Sequence, residues 1–404
     1  MALIPFTSGS LRFILFCCSF ALFSRLARGQ TFSLESFGAV GDGVTDDTVA
    51  LNLAFSQASP GSTILIPAGR TYAHNDIVEI RVPALFIKGG GRLLATNEAR
   101  SGVWINADRV VVENIVLEMK STSRRWVEYE SMKLRLMNSR GIVVRKVRIE
   151  GAAAAGIFVG NTHEYLIDRV SVRNTRADAI HNTEGSSYGT ILRPEIFNPG
   201  DDGVAFVSYK TDGIQVNNMV LQSPVFKYSS HGRAFSVVGG RDIVMNDLYA
   251  ADSDAAALYI AAEPSYDTFG VSNVKVNGGL FVRSNRNQAI NHGSILVYNG
   301  QPLQMIQNIT INNIQCQNTK TSQPWEVGIL SSGSGGVRRI EIKQVVLSGG
   351  PTQAFFSSSP SSTYITMLWV QDGRTLPDRI GYATTPTVPP SRAPTRQPTK
   401  RKRM

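Results

Sequence analysis

An isolated Asp178, the pair Asp201-Asp202 in GDDGVAF and His231 in SHGRAFSVVGG all fall between Ala177 and Gly240. Three carboxylates and an imidazole converging on one groove would have a definite use. Like charges held close drive their pKa values apart, so one carboxyl keeps its proton as an acid while another stays ionised as a base. Hydrolysis of a glycosidic bond needs that division of labour. Asp-Asp-Gly alone is an ordinary turn sequence. The chemistry therefore depends on whether the chain brings Asp178 and His231 to the same place.

From about residue 100 the chain settles into short β-branched strands, each closed by Gly, Asn or Asp. Aligning GIFVG from Gly156, DAIHN from Asp178, DGVAF from Asp202 and RAFSV from Arg233 gives steps of 22, 24 and 31 residues. AALYI from Ala256, SILVY from Ser294 and VGILS from Val327 extend the series. A period in the low twenties, filled by strands and almost free of helical pattern, predicts a β-solenoid in which each repeat is one coil. A propeller would need a longer and more regular repeat, and a sandwich would lack the self-similarity. Asp178 and Asp202 each precede a small residue and then Ile or Val, so they take the same position on successive coils, about 4.8 Å apart. Asp201 lies beside them, and His231 reaches the edge of the same surface from the next coil. The Asn pairs at 217/218 and 312/313 suit turns with amides stacked from coil to coil.

Residues 1–29 carry Arg12, the apolar run Phe13 to Phe23 and the ending Ala27-Arg28-Gly29, the pattern of an export signal. The run is too short to span a bilayer, so a secreted, extracellular protein without a membrane span is expected. Cys17 and Cys18 lie in the leader, which leaves Cys316 alone and no intrachain disulfide. The net charge of +10 is misleading as a whole-chain figure. Three arginines in the leader and six basic residues from Arg392 onward account for nine of the ten, so the body is close to neutral and no nucleic-acid partner is expected. The Thr/Pro/Arg-rich stretch 384–404 reads as a disordered basic tail, either a spacer or an anchor to an acidic polymer. Residues 30–383 are expected to form one domain, and the protein a monomer. Near the start, Thr45 can cap a helix with Asp46 and Asp47 in its first turn. Asp42, Asp46 and Asp47 could also be taken for a calcium loop, but their spacing fails the EF-hand pattern. No metal or cofactor is expected.

FGAVGDGVTDDT, Gly200-Asp201-Asp202 and Ser230-His231-Gly232, running on to Val238-Gly239-Gly240, carry a resemblance. The chain resembles the pectin-lyase-like superfamily, and its central stretch resembles glycoside hydrolase family 28, the polygalacturonase and rhamnogalacturonase group. The resemblance covers most of residues 33–370, with the specific motifs in the middle third. It implies an all-β, right-handed parallel β-helix with a short amino-terminal capping helix, and an inverting hydrolysis of a cell-wall polysaccharide. By the same resemblance Asp201 is the general acid, Asp178 and Asp202 hold and deprotonate the attacking water, and His231 tunes the acid or binds sugar. Two motifs depart from the family. Arg176-Ala177 stands where the family has Asn-Thr, and Tyr259-Ile260-Ala261 stands where it has the Arg-Ile-Lys that holds a uronate carboxylate. Arg233 and Lys210 are candidates to supply the missing charge, Tyr259 with Tyr209 and Tyr266 a stacking surface, and His181 a further groove residue.

Two other classes share these marks. A polysaccharide lyase or uronate epimerase would need a strong base, Arg or Lys, often with calcium. A non-catalytic β-helix would bind glycan and release no product.

Overall fold

The computed structural model describes residues 29–358 and 363–381. The expected leader, apart from Gly29, and the basic tail lie outside the described residues. The rest is a parallel β-helix. One sheet has eleven strands, in chain order β1 Val78–Ile80, β2 Val103–Ile105, β3 Leu134–Met137, β4 Ile157–Gly160, β5 Ile180–Thr183, β6 Val204–Val207, β7 Phe235–Val238, β8 Leu258–Ala262, β9 Ile295–Asn299, β10 Val327–Ser331 and β11 Phe355–Ser357. Every pairing between them is parallel, each strand bonding to its equivalents one coil away. The second sheet wraps the remaining sides. In its later coils it becomes long bent strands such as Arg241–Ala251 and Val271–Val282, with Asp242, Asp247 and Asn273 in the left-handed region at the bends. Asn and Asp tolerate that conformation better than other side chains.

Parallel stacking satisfies the backbone from coil to coil and leaves alternate side chains to fill the bore. Ile157 and Val159, Val204 and Phe206, and Phe235 and Val237 are all fully buried in it. Each such side chain contributes about 1.5–3 kcal/mol. The outward side chains of β4 to β8 are mostly buried too, which explains why those strands read as unbroken apolar runs.

The observed register corrects the repeat alignment at three points. Ile157 lies opposite Ile180, so Ala155 and not Gly156 is the coil equivalent of Asp178. Ile295 and Val327 likewise set their repeats at Gly293 and Trp325. The phase of Asp178, Asp202, Arg233 and Ala256 holds. Stacked amides occur, but Asn138–Asn161, Asn174–Asn198 and Asn246–Asn277 carry them, at 2.8–3.0 Å. Asn218 donates to its neighbour Asn217 instead.

Helix α1 (Thr48–Gln57) buries Leu51, Ala54 and Phe55. Its N-cap is Asp47, not Thr45, which ends up in the strand Asp42–Asp46. The Asp47 carboxylate accepts the Val40 and Gly41 N–H groups at 2.7 and 3.1 Å, and Asp42 accepts those of Val44 and Thr45. These oxygens are spent on backbone. Cys316 is free and buried. No helix among the described residues is long and apolar enough to cross a membrane.

Candidate active site

The site is a column on the outside of the eleven-stranded sheet, at the corner just before β5, β6 and β7. Ile180 pairs with Val204 and Val204 with Phe235, so Asp178, Asp202 and Arg233, each two residues earlier, lie one above another. Backbone bonds fix the corner: the Ala179 N–H donates to the Asp202 carbonyl at 2.9 Å, and the Gly203 N–H to that of Arg233 at 2.8 Å. Side chains repeat the pattern. Asp178 Oδ1 accepts the Asp202 N–H, and Asp202 Oδ1 accepts the Arg233 N–H, both at 2.9 Å. Asp201 joins from the preceding turn, and one oxygen from each of the three carboxylates lies within 4.8 Å of the others.

Their surroundings differ. Burial would raise Asp178, but His181, whose Nδ1 is 2.5 Å from Oδ2, together with the Arg125 charge and the Asp202 N–H, holds it below the usual carboxylate range. Asp202 is pushed up to about 7. Burial is the main cause and the Asp201 and Asp178 charges add to it, against Arg233 and a 2.6 Å bond from the Ser236 hydroxyl. Asp201 is the most exposed of the three, at 21 % of its side chain, and Arg125 Nη1 lies 2.7 Å from its Oδ2. That arginine comes from the loop between Glu118 and Leu134 and is itself 43 % exposed. Against the cost of burial, the Asp201 and Asp178 charges hold the Arg125 guanidinium there.

Gly232 explains how the SHG block approaches. A Cβ there would lie 2.3 Å from the Asp201 carbonyl carbon, and its φ is +82°, so the coil carrying His231 packs directly on the Asp201 backbone. His231 is half-buried beside that contact. His181 lies on the outward face, stacked on Phe158 at 5.5 Å.

The proposed sugar-binding residues have other engagements. Arg233 lies between Asp202 (3.3 Å) and Glu263 (3.2 Å), with 10 % of its side chain exposed. Burial opposes its charge, but the two carboxylates hold it protonated. Tyr259 is 3 % exposed; His292 stacks on its ring at 5.3 Å, Arg233 lies 4.4 Å from the ring centre, and its hydroxyl donates to Glu263. With its ring enclosed, Tyr259 is packing rather than a platform for sugar. Lys210 is paired with Asp267 at 2.6 Å. The Tyr209 phenol is pushed above its ordinary value by burial and then by the Asp178 charge, which keeps it neutral at the site's margin.

Among the described residues, the three aspartates are the acidic group whose oxygens converge closely enough for a cation. The donors on them, His181, Ser236, Arg125 and two backbone N–H groups, already engage most of their oxygens, an arrangement suited to handling protons.

Arg125, Ser236 and Glu263 escaped the sequence reading. Ser236 was within reach, because it shares an outward column with His181, Ala205 and Tyr259. Arg125 was not, since its partner lies 76 residues away and loops carry no period.

A family model described as rhamnogalacturonase A/epimerase, pectate lyase-like, matches residues 31–259. An exopolygalacturonase from Thermotoga maritima shares the fold with a TM-score of 0.70 and 12% identity, over 90% of this chain and 97% of that one. The catalytic domain of a family 87 α-1,3-glucanase, solved with nigerose, gives 0.64 and 17% over 86% of this chain and 66% of that one. A surface adhesin of Streptococcus pneumoniae gives 0.61 and 12% over 85% and 90%. At these identities the likeness is one of fold. No match was found among curated proteins.

Proposed function

This chain belongs to the rhamnogalacturonase A/epimerase, pectate lyase-like family, and from that premise we propose that it is an extracellular glycoside hydrolase acting on a polysaccharide. The observation that carries the reading is the convergence of three carboxylates in unlike surroundings. Asp178, held ionised, is the base for the attacking water, and Asp202, the carboxyl pushed up to about 7, helps to hold that water as the proton-keeping neighbour. Asp201 faces outward, where a leaving oxygen can reach it, and is the general acid; that assignment rests on its exposure and on the family resemblance. Its pair with Arg125 must open first. A substrate carboxylate or hydroxyl that draws Arg125 away would free the acid at the moment of binding. His231 borders the same surface and contacts the sugar.

The oxygens are closer than the roughly 6.5–9.5 Å of two-carboxylate inverting sites. Inversion is therefore supported by the family resemblance and not by this spacing. Proton NMR of the first-formed anomer tests it.

Replacing Asp201 by Asn should lower kcat by about 10²–10⁴ while leaving the circular dichroism spectrum and glycan binding unchanged. Full activity in that variant removes the assignment.

Lyase or epimerase chemistry is the second reading. Its base would have to be Arg125, the most exposed of the three paired cations, once its contact with Asp201 opens; Arg233 and Lys210 are held by Asp202, Glu263 and Asp267. New reducing ends without the ultraviolet absorbance of unsaturated uronates separate hydrolysis from elimination.

A further inference from the structure

We propose that this protein works at chain ends, because the acid trio sits in a short gap walled on both sides along the coil axis. The inference rests on the hydrolase reading above.

The outer face of an open β-helix sheet would offer a polymer a continuous path across successive coils. Here it does not. On the amino-terminal side, Met132, Ala155 and Phe158 form an apolar cluster outside the coil, and Trp126 and Tyr129 pack over it from the loop between Glu118 and Leu134. The Tyr129 ring meets Phe158 edge-on at 5.4 Å, and its hydroxyl donates to Glu184. The Trp126 backbone N–H donates to the Ala153 carbonyl at 2.9 Å, and the Arg124 guanidinium covers the indole at 3.9 Å. The wall thus has its own hydrogen bonds and packing.

On the carboxyl-terminal side a second external cluster begins with Ala205 and Val207 on β6 and Val238 on β7, along the strands from the acid corner. It builds up through Tyr259, Ala261, Leu296 and Trp325, these last four at or below 3 % exposure. The segment ending at His292 lies on Tyr259. Gln323 ties this cover together by donating to the Asn285 and Asn287 carbonyls, both at 3.2 Å.

Phe158 lies on β4 and Tyr259 on β8, four strand steps apart. At the usual spacing that is roughly 19 Å. Side chains on each wall take up several ångströms of it. Asp178, Asp202 and Arg233 occupy the three coils between. The end of a glycan can enter such a gap, but a polymer lying along the axis would meet the loop bearing Trp126 and Tyr129 on one side and the segment ending at His292 on the other. A concavity of about 960 Å³ does run along the molecule, but on the other sheet, lined by Asn273, Lys275, Asn308 and Glu341 and away from the acids.

The test uses the full chain and the pectic or α-glucan polymer that it hydrolyses best in a screen. End action predicts short products from the first time point, little loss of viscosity, and at least a tenfold slower attack on the same glycan blocked at both ends or closed into a ring. Early mid-length oligomers, or equal rates on blocked and free chains, overturn the inference and leave the hydrolase reading standing. No hydrolysis of any polymer removes both. The doubly substituted Trp126→Ala, Tyr129→Ala protein should raise internal cuts relative to end release about tenfold. An unchanged ratio in a variant with native circular dichroism counts against the wall; the blocked-chain comparison needs no variant.

Discussion

Two buried cations stand at the same corner of the sheet on different coils, one residue out of register, and meet different fates. Arg233, just before β7, lies between Asp202 and Glu263 and keeps its charge. Lys133, just before β3, is fully buried, with one hydrogen bond from Nζ, to the Ser101 carbonyl at 3.2 Å. Burial pushes its amine down to about 7, and the more distant Glu118 only partly offsets this. The difference teaches that this fold can hold a charge at the corner only where it supplies the counter-charge, and that it does so at the site.

The comparison can be broken most forcefully at Arg233. Arg233→Met leaves two carboxylates buried without their cation, and should cost about 3–5 kcal/mol in denaturant unfolding. A loss under 1 kcal/mol would mean that the network does not hold the site. Lys133→Met should act in the opposite direction, adding about 4 kcal/mol at pH 7. The sign follows from protons: between about pH 7 and 10.4 the unfolded chain carries a proton on Lys133 that the folded chain lacks. Stability of the parent therefore climbs relative to the variant as pH rises through that window, and the gap closes near pH 10. Parallel pH profiles would show that Lys133 stays charged. The smallest effect belongs to the exposed pair. Lys210→Ala, which removes the contact with Asp267, should change stability by less than about 1 kcal/mol, and a Tm series in rising salt should show even that fading.

Much of this architecture was legible because a solenoid writes its geometry as a period. D-A-I, D-G-V and R-A-F placed Asp178, Asp202 and Arg233 in one column before any coordinates. The phase slipped at Gly156 because the run Ala152 to Gly156 is uniformly small, and alternation cannot choose among residues of one size. Tyr259 was readable as outward, but its enclosure by His292 and Arg233 depends on a loop and on a neighbouring coil. Arg125 and the burial of Lys133 were beyond a sequence reading for the same reason. Charge type is written in the chain, whereas what lies across from it is decided by packing between distant segments.

The bond from the Ala179 N–H to the Asp202 carbonyl, and its counterpart one coil on, has a consequence of its own. It makes the backbone a ruler. The distance between Asp178 and Asp202 is one ladder step, set by peptide groups that every coil shares and independent of which side chains the connecting loops carry. Loops such as the one bearing Arg125, Trp126 and Tyr129 can then be lengthened, shortened or rewritten without disturbing the spacing of the acids. In this fold the reaction and the choice of what reaches it are drafted on separate parts of the chain.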